Sequence, residues 1–140
     1  MREQENKKIV SRFVSEAQSR GNMGAVDEFL AESFIDHSAL PGFLPTPVGV
    51  KQLFGALRTA FPDLQAIIHD QIAEGDRVVT RKTLSGTHQG TFMGIPPTGR
   101  KVKINVIDIL RIVDGKITDH WNVIDRLGLM QQLGVIQAHA

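Results

Sequence analysis

The chain has no cysteine and no tyrosine among its 140 residues. The first absence excludes disulfides, thiolate metal ligands and cysteine nucleophiles, and fits a cytoplasmic protein. The second removes the phenol as a proton donor, so acid and base chemistry falls to Asp, Glu, His and Lys. No apolar run approaches the roughly 20 residues of a membrane span, and the opening MREQENKK leads into helical periodicity without a signal-peptide core. Charge of one sign is lacking too. Sixteen basic and 15 acidic side chains leave a net charge of +1, which provides no electrostatic footprint for nucleic acid or for an anionic membrane.

Several chemical motifs are also missing. The histidines, at positions 37, 69, 88, 120 and 139, include no His-Glu-x-x-His and no close His-x-His pair, so the spacing proposes neither a metal nor a cofactor. The run from Gly94 to Lys101, GIPPTGRK, imitates a phosphate-binding loop, but Arg100 stands where lysine is needed and a strand follows instead of a helix. There is no Gly-x-Ser-x-Gly elbow for a serine hydrolase.

What is present suffices for one domain over residues 1–140, since 41% of the residues are hydrophobic and no shift in composition divides the chain. Ile9, Val10, Phe13, Val14 and Ala17 predict a helix from about Glu5 to Arg20, and Asn22 is placed to cap a short second one from Met23 to Leu30. A Pro-rich stretch follows, extended from Phe34 to His37 and then a loop. Thr46 and Pro47 open a third helix that Pro62 stops. Strands are predicted at 64–74 and 77–88, and a closing helical turn carries Leu129 and Leu133. Helices first and strands afterwards is the order of an α+β domain with helices packed on an antiparallel sheet.

The segment from Lys101 to Asp125 reads as a hairpin turning at Asp114-Gly115, because both turn residues accept positive φ. On its first strand Asp108 interrupts the apolar row Val102, Ile104, Val106, Leu110, Ile112. A carboxylate there lines a pocket or is tied to a histidine or arginine of a neighbouring strand. His120 and Trp121 alternate on the second strand, so at most one of them lines a cavity directly.

Phe34-Ile35-Asp36-His37, Ala60 to Asp63 (AFPD), Glu74 to Val78 (EGDRV), Gly86 to Arg100 (GTHQGTFMGIPPTGR), Asp114 to Ile117 (DGKI), His120-Trp121 and Leu127 to Gly134 (LGLMQQLG) come in an order that resembles the SnoaL-like ester cyclases. These belong to the wider superfamily of nuclear transport factor 2. The resemblance implies a cone-shaped α+β fold, a curved antiparallel sheet wrapped on three N-terminal helices around a deep pocket, and a homodimer or homotetramer built sheet against sheet. It also implies acid–base chemistry without metal or cofactor, aldol cyclisation, isomerisation or a related proton transfer, on a small apolar carbonyl compound. The alternative is a non-catalytic module of the same fold that binds a small molecule or a partner.

On that resemblance Asp125, at the end of the last strand, is the expected catalytic carboxylate, with Asp108, His37 and His120 as further members of the catalytic group. The alternative for Asp125 is the N-cap of the helix that follows it. His88, Trp121, Phe34, Phe54 and Phe92 are the expected substrate contacts. Apolar residues on both faces of the strands, among them Val79, Ile107 and Ile109, imply a second covered face.

Overall fold

The computed structural model describes residues 1–137; His139 lies outside them. Helix α1, Arg2–Phe13, buries Val10 and Phe13 and runs on into a π-helical stretch, Val14–Ser19, where the sequence periodicity predicts a continuous α-helix. Val14, Ala17 and Gln18 lie on its buried side, at the i, i+3, i+4 spacing of one helical face. Helix α2 spans Gly24–Phe29, and Asn22 Oδ1 accepts the Gly24 N–H at 3.1 Å. Helix α3, Pro47–Ala60, begins as expected, with Thr46 Oγ1 accepting the Gly49 N–H and proline in the first turn.

Five strands, β1 (Leu30–Asp36), β2 (Gln65–Glu74), β3 (Arg77–Thr87), β4 (Lys101–Val113) and β5 (Lys116–Ile124), form one sheet in the order β1-β5-β4-β3-β2. Strands β2 to β5 pair antiparallel. The hairpin between β4 and β5 turns at Asp114 and Gly115, whose φ angles of 50° and 76° are both positive, as a type I′ turn requires. One feature corrects the all-antiparallel expectation. Strand β1 begins at Leu30, well before the predicted extended piece, and joins β5 in parallel, with Leu30 opposite Ile117 and Asp36 opposite His120. A parallel pair needs a long connection, and here almost the whole remaining chain runs between the two strands.

The inner face of the sheet is buried under the helices. It presents Val78, Thr80, Lys82 and Leu84 from β3 and Val102, Ile104, Val106, Asp108, Leu110 and Ile112 from β4, in strict alternation. Phe13, Phe29, Phe54 and Leu57 pack onto it from the helix side. The outer face is bare: Ile72, Ile107 and Val123 are 68%, 48% and 76% exposed. Helix α4, Arg126–Leu133, closes the chain, with Gly134 in the left-handed conformation at its end. Among the described residues no helix is long and apolar enough to cross a membrane.

Candidate active site

Because β1, β5, β4 and β3 are successive neighbours in the sheet, one inward side chain from each can touch the next. Asp36 on β1 meets His120 on β5, with Oδ1 2.9 Å from Nδ1. The other ring nitrogen of His120 lies 2.7 Å from Asp108 Oδ1 on β4. Asp108 Oδ2 is 2.6 Å from Lys82 Nζ on β3, and Lys82 donates in turn to Gln18 Oε1 at 2.8 Å. A line of alternating charge therefore crosses the inner face from the sheet edge to the π-helical stretch. Asp36 is further fixed by the Ser38 N–H, which donates to Oδ1 at 2.9 Å; its Oδ2 is the carboxylate oxygen not used in these bonds.

This line forms one wall of a partly open cavity of about 80 Å³. Phe13, Phe34, Phe54, Leu57, Leu84 and Leu110 are among its apolar lining, and Asn122 adds an amide beside the four ions and Gln18.

Burial disfavours charge on every member of the line, and the partners outweigh it. Burial pushes the Asp108 carboxyl up, but the Lys82 ammonium and the His120 hydrogen bond hold it well below the usual carboxylate range. Burial likewise raises Asp36, and His120 again reverses the direction, leaving it lowered. For His120, burial works against the imidazolium, yet Asp108 and Asp36 together raise its pKa to about 9. At neutral pH the four groups are thus two carboxylates and two cations, with no net charge.

Of the residues expected from sequence, Asp108, His120, Phe34 and Phe54 come together in this cavity. Five others do not. Asp125 is exposed and caps α4, its Oδ1 accepting the Gly128 N–H at 2.9 Å. It follows β5 at the point where the chain leaves the sheet, so its side chain serves the helix and not the cavity. His37 follows Asp36 on the strand course and therefore points outward, where Nε2 meets Asp119 at 2.9 Å and the ring stacks on Trp121 at 4.7 Å. Trp121, opposite in direction to His120, lies on that outer face with the Arg77 guanidinium 5.0 Å from its ring. His88 is fully buried against Phe61, and its Nδ1 accepts the Thr98 N–H at 3.2 Å. It anchors the loop that leads to β4. Phe92 packs edge-on to Phe61 at 5.7 Å and belongs to that same loop anchor.

Four polar groups of the site escaped the sequence reading. Asp36 lies in the Phe34–His37 motif, beside a histidine that is the more usual acid–base residue. Lys82 was visible as a charge in the inward row of Val78, Thr80 and Leu84. Asn122 shares a face with His120. Gln18, four residues after Val14, is a polar residue that continues the apolar helical face, and that interruption is its signal. Among the described residues, no group of three His, Asp or Glu side chains is arranged to hold a metal.

Comparison with known proteins identifies the family. The family described as SnoaL-like polyketide cyclase matches residues 8–133. The nogalonic acid methyl ester cyclase of Streptomyces nogalater is 33% identical over 120 residues, which is 84% of this chain and 90% of that protein. The aklanonic acid methyl ester cyclase DauD of Streptomyces sp. strain C5 is 34% identical over 131 residues, 90% of this chain and 80% of its own. Among solved structures, AclR of Streptomyces galilaeus, described as a candidate hydroxylase, superposes with a TM-score of 0.87 at 32% identity, covering 99% of this chain and 86% of its own. With a family match over nearly its whole length and relatives at this level of identity, the chain belongs to the SnoaL-like polyketide cyclases.

Proposed function

We propose that this protein is a cyclase-type enzyme that moves a proton to and from carbon on a small apolar carbonyl compound, with Asp36 as the base and the His120–Asp108 pair holding the charge around it. The observation that carries the reading is the line of ions along the wall of an otherwise apolar cavity. Proton abstraction beside a carbonyl needs a fixed base where water is scarce, and Asp36 Oδ2 is the carboxylate oxygen of the line that neither His120 nor Lys82 occupies. Both ring nitrogens of His120 face carboxylates, so the imidazolium keeps two negative groups close together without itself giving up a proton. The methyl esters named for the relatives suggest β-keto methyl esters as first substrates.

Deuterium exchange at the acidic carbon of such esters, followed by NMR, tests the reading. Wild type is expected to catalyse exchange, and Asp36→Asn to reduce the rate by about a hundredfold or more, the usual contribution of a positioned base. Asp125→Asn is expected to exchange at the wild-type rate. Asp125→Ala is expected to lose only stability, about 1 kcal/mol for a removed N-cap, read by urea titration. Loss of exchange in Asp125→Asn would return that residue to the site. A wild type that binds the esters and exchanges none of them would be a binding module instead.

The bare outer face supports a second part of the proposal, a homodimer formed sheet against sheet. Ile72 pairs with Val79, Val79 with Ile109, Ile109 with Trp121, and Ile107 with Val123, which makes a continuous apolar surface across four strands. Val123, at 76%, is more exposed than Ile72 or Ile107. Val123→Glu is expected to convert the dimer to monomer in light scattering, without loss of helix or strand signal. An unchanged mass would remove this face as the interface.

A further inference from the structure

The proton-transfer reading leaves Lys82 without a task beyond balancing charge. Lys82 is 5% exposed and lines the cavity. An ammonium has three N–H donors; one goes to Asp108 Oδ2 at 2.6 Å and one to Gln18 Oε1 at 2.8 Å. The two acceptors come from opposite sides, one from β4 and the other from the π-helical stretch, a helix irregularity often found at functional sites. The ammonium is therefore held in one place with a donor to spare. His120, the other cation of the wall, has both ring nitrogens committed to carboxylates.

The geometry points to an oxyanion subsite at Lys82, in which its third N–H, positioned by Asp108 and Gln18, donates to the enolate oxygen of a neutral, enolisable carbonyl compound. This rests on the proton-transfer reading above. The step balances without a co-reactant. The C–H bond beside the carbonyl breaks, its proton passes to Asp36 Oδ2, and the electron pair moves onto the oxygen that Lys82 faces. The four ions sum to zero, so a neutral carbonyl enters without repulsion, and the charge that develops on it appears next to the one cation with a donor left. Lys82 acts as a donor and not as a nucleophile, because its Nζ is held between two acceptors, Asp108 Oδ2 at 2.6 Å and Gln18 Oε1 at 2.8 Å.

Acetylacetone is a suitable probe: it is small, it ionises between its two carbonyls, its enolate absorbs in the ultraviolet, and a free lysine amine traps it covalently. Wild type is expected to bind it as the enolate at a pH where the probe in water is neutral, with no change in protein mass. Lys82→Met is expected to weaken enolate binding by roughly tenfold to a hundredfold, the worth of a hydrogen bond to a charged group. Binding of the doubly methylated analogue, which has no proton to lose, should hardly change. Because Lys82→Met leaves Asp108 short of a partner, Gln18→Leu provides a second variant that keeps the ion pair and frees only the orientation of the ammonium. It is expected to raise the apparent pKa of the bound probe by less than Lys82→Met does. An enolate band of equal strength in Lys82→Met, no band in wild type, or a mass gain equal to the probe less one water would each overturn the subsite. Carbon-bound deuterium exchange separates the two ideas: enolate binding without exchange rejects the proton-transfer reading alone, and exchange undiminished in Lys82→Met rejects the subsite alone.

Discussion

Asp108→Asn is expected to lower the unfolding free energy by about 3 to 5 kcal/mol, the range for removing one partner from a buried ion pair. Asp108 is 4% exposed and is the only member of the line that touches both cations, Lys82 at 2.6 Å and His120 at 2.7 Å. Asparagine keeps the shape and one acceptor, but the wall is then left with two cations and one carboxylate. The loss is therefore the price of an uncompensated buried charge and not of a missing contact. The double variant Asp108→Leu with Lys82→Met separates these causes, because replacing a whole buried pair by apolar groups of similar size is often neutral or stabilising. Urea titrations of the three proteins check it. The single variant should show a lower midpoint with an unchanged slope, a fall in Tm of roughly 10 °C or more, and the double variant should recover most of the difference. If the single variant unfolds at the wild-type midpoint, Asp108 contributes no more than an exposed carboxylate and the line of ions does not hold the fold together.

The same residue shows how far the sequence could be read. A carboxylate in the apolar row of β4 announces itself through period-2 alternation, and both of its possible explanations apply together, since Asp108 lines the cavity and is tied to a histidine. The type I′ turn at Asp114-Gly115 and the capped start of α3 were legible for the same reason: each depends on residues close in the chain. Asp36 was not. Its role exists only because β1 lies parallel to β5 in the register that sets Asp36 opposite His120, and no local pattern encodes a pairing between residues so far apart. Asp125 is subject to a local competition, and it caps α4. An aspartate that ends a strand and precedes a helix can face a cavity or accept the N–H three residues on, and the exposed Gly128 N–H was nearer. His37 and Trp121 were misplaced by one residue in effect, since neighbours on a strand face opposite ways. Their inward counterparts, Asp36 and His120, are the ones that meet.

The strongest pH dependence should come from His120. Its folded pKa is raised to about 9 from an ordinary 6.5, so between these values the folded chain holds a proton that the unfolded chain has released, and stability falls as pH rises. The contribution is complete below about pH 6.5 and gone above about pH 9; at about 1.4 kcal/mol for each unit of pKa, it amounts to about 3 kcal/mol. Asp36 and Asp108 shift the other way. Their stabilisation is complete above about pH 4, the ordinary carboxylate value, and is lost as pH falls toward their lowered folded values. These are two views of one attraction, so the terms bound a plateau between about pH 4 and 6.5 and do not add within it. Urea midpoints measured from pH 5 to 10 should therefore decline through the alkaline range in wild type and stay nearly level in His120→Gln, which carries no proton to lose. Exchange activity should fall over the same range. Loss of the imidazolium leaves Asp36, Asp108 and Lys82 with a net negative charge around a carbon that is itself becoming negative, which raises the barrier to forming the enolate. An activity that instead rises through pH 9 would make neutral His120 the base and Asp36 its support, reversing the two roles within the same cavity.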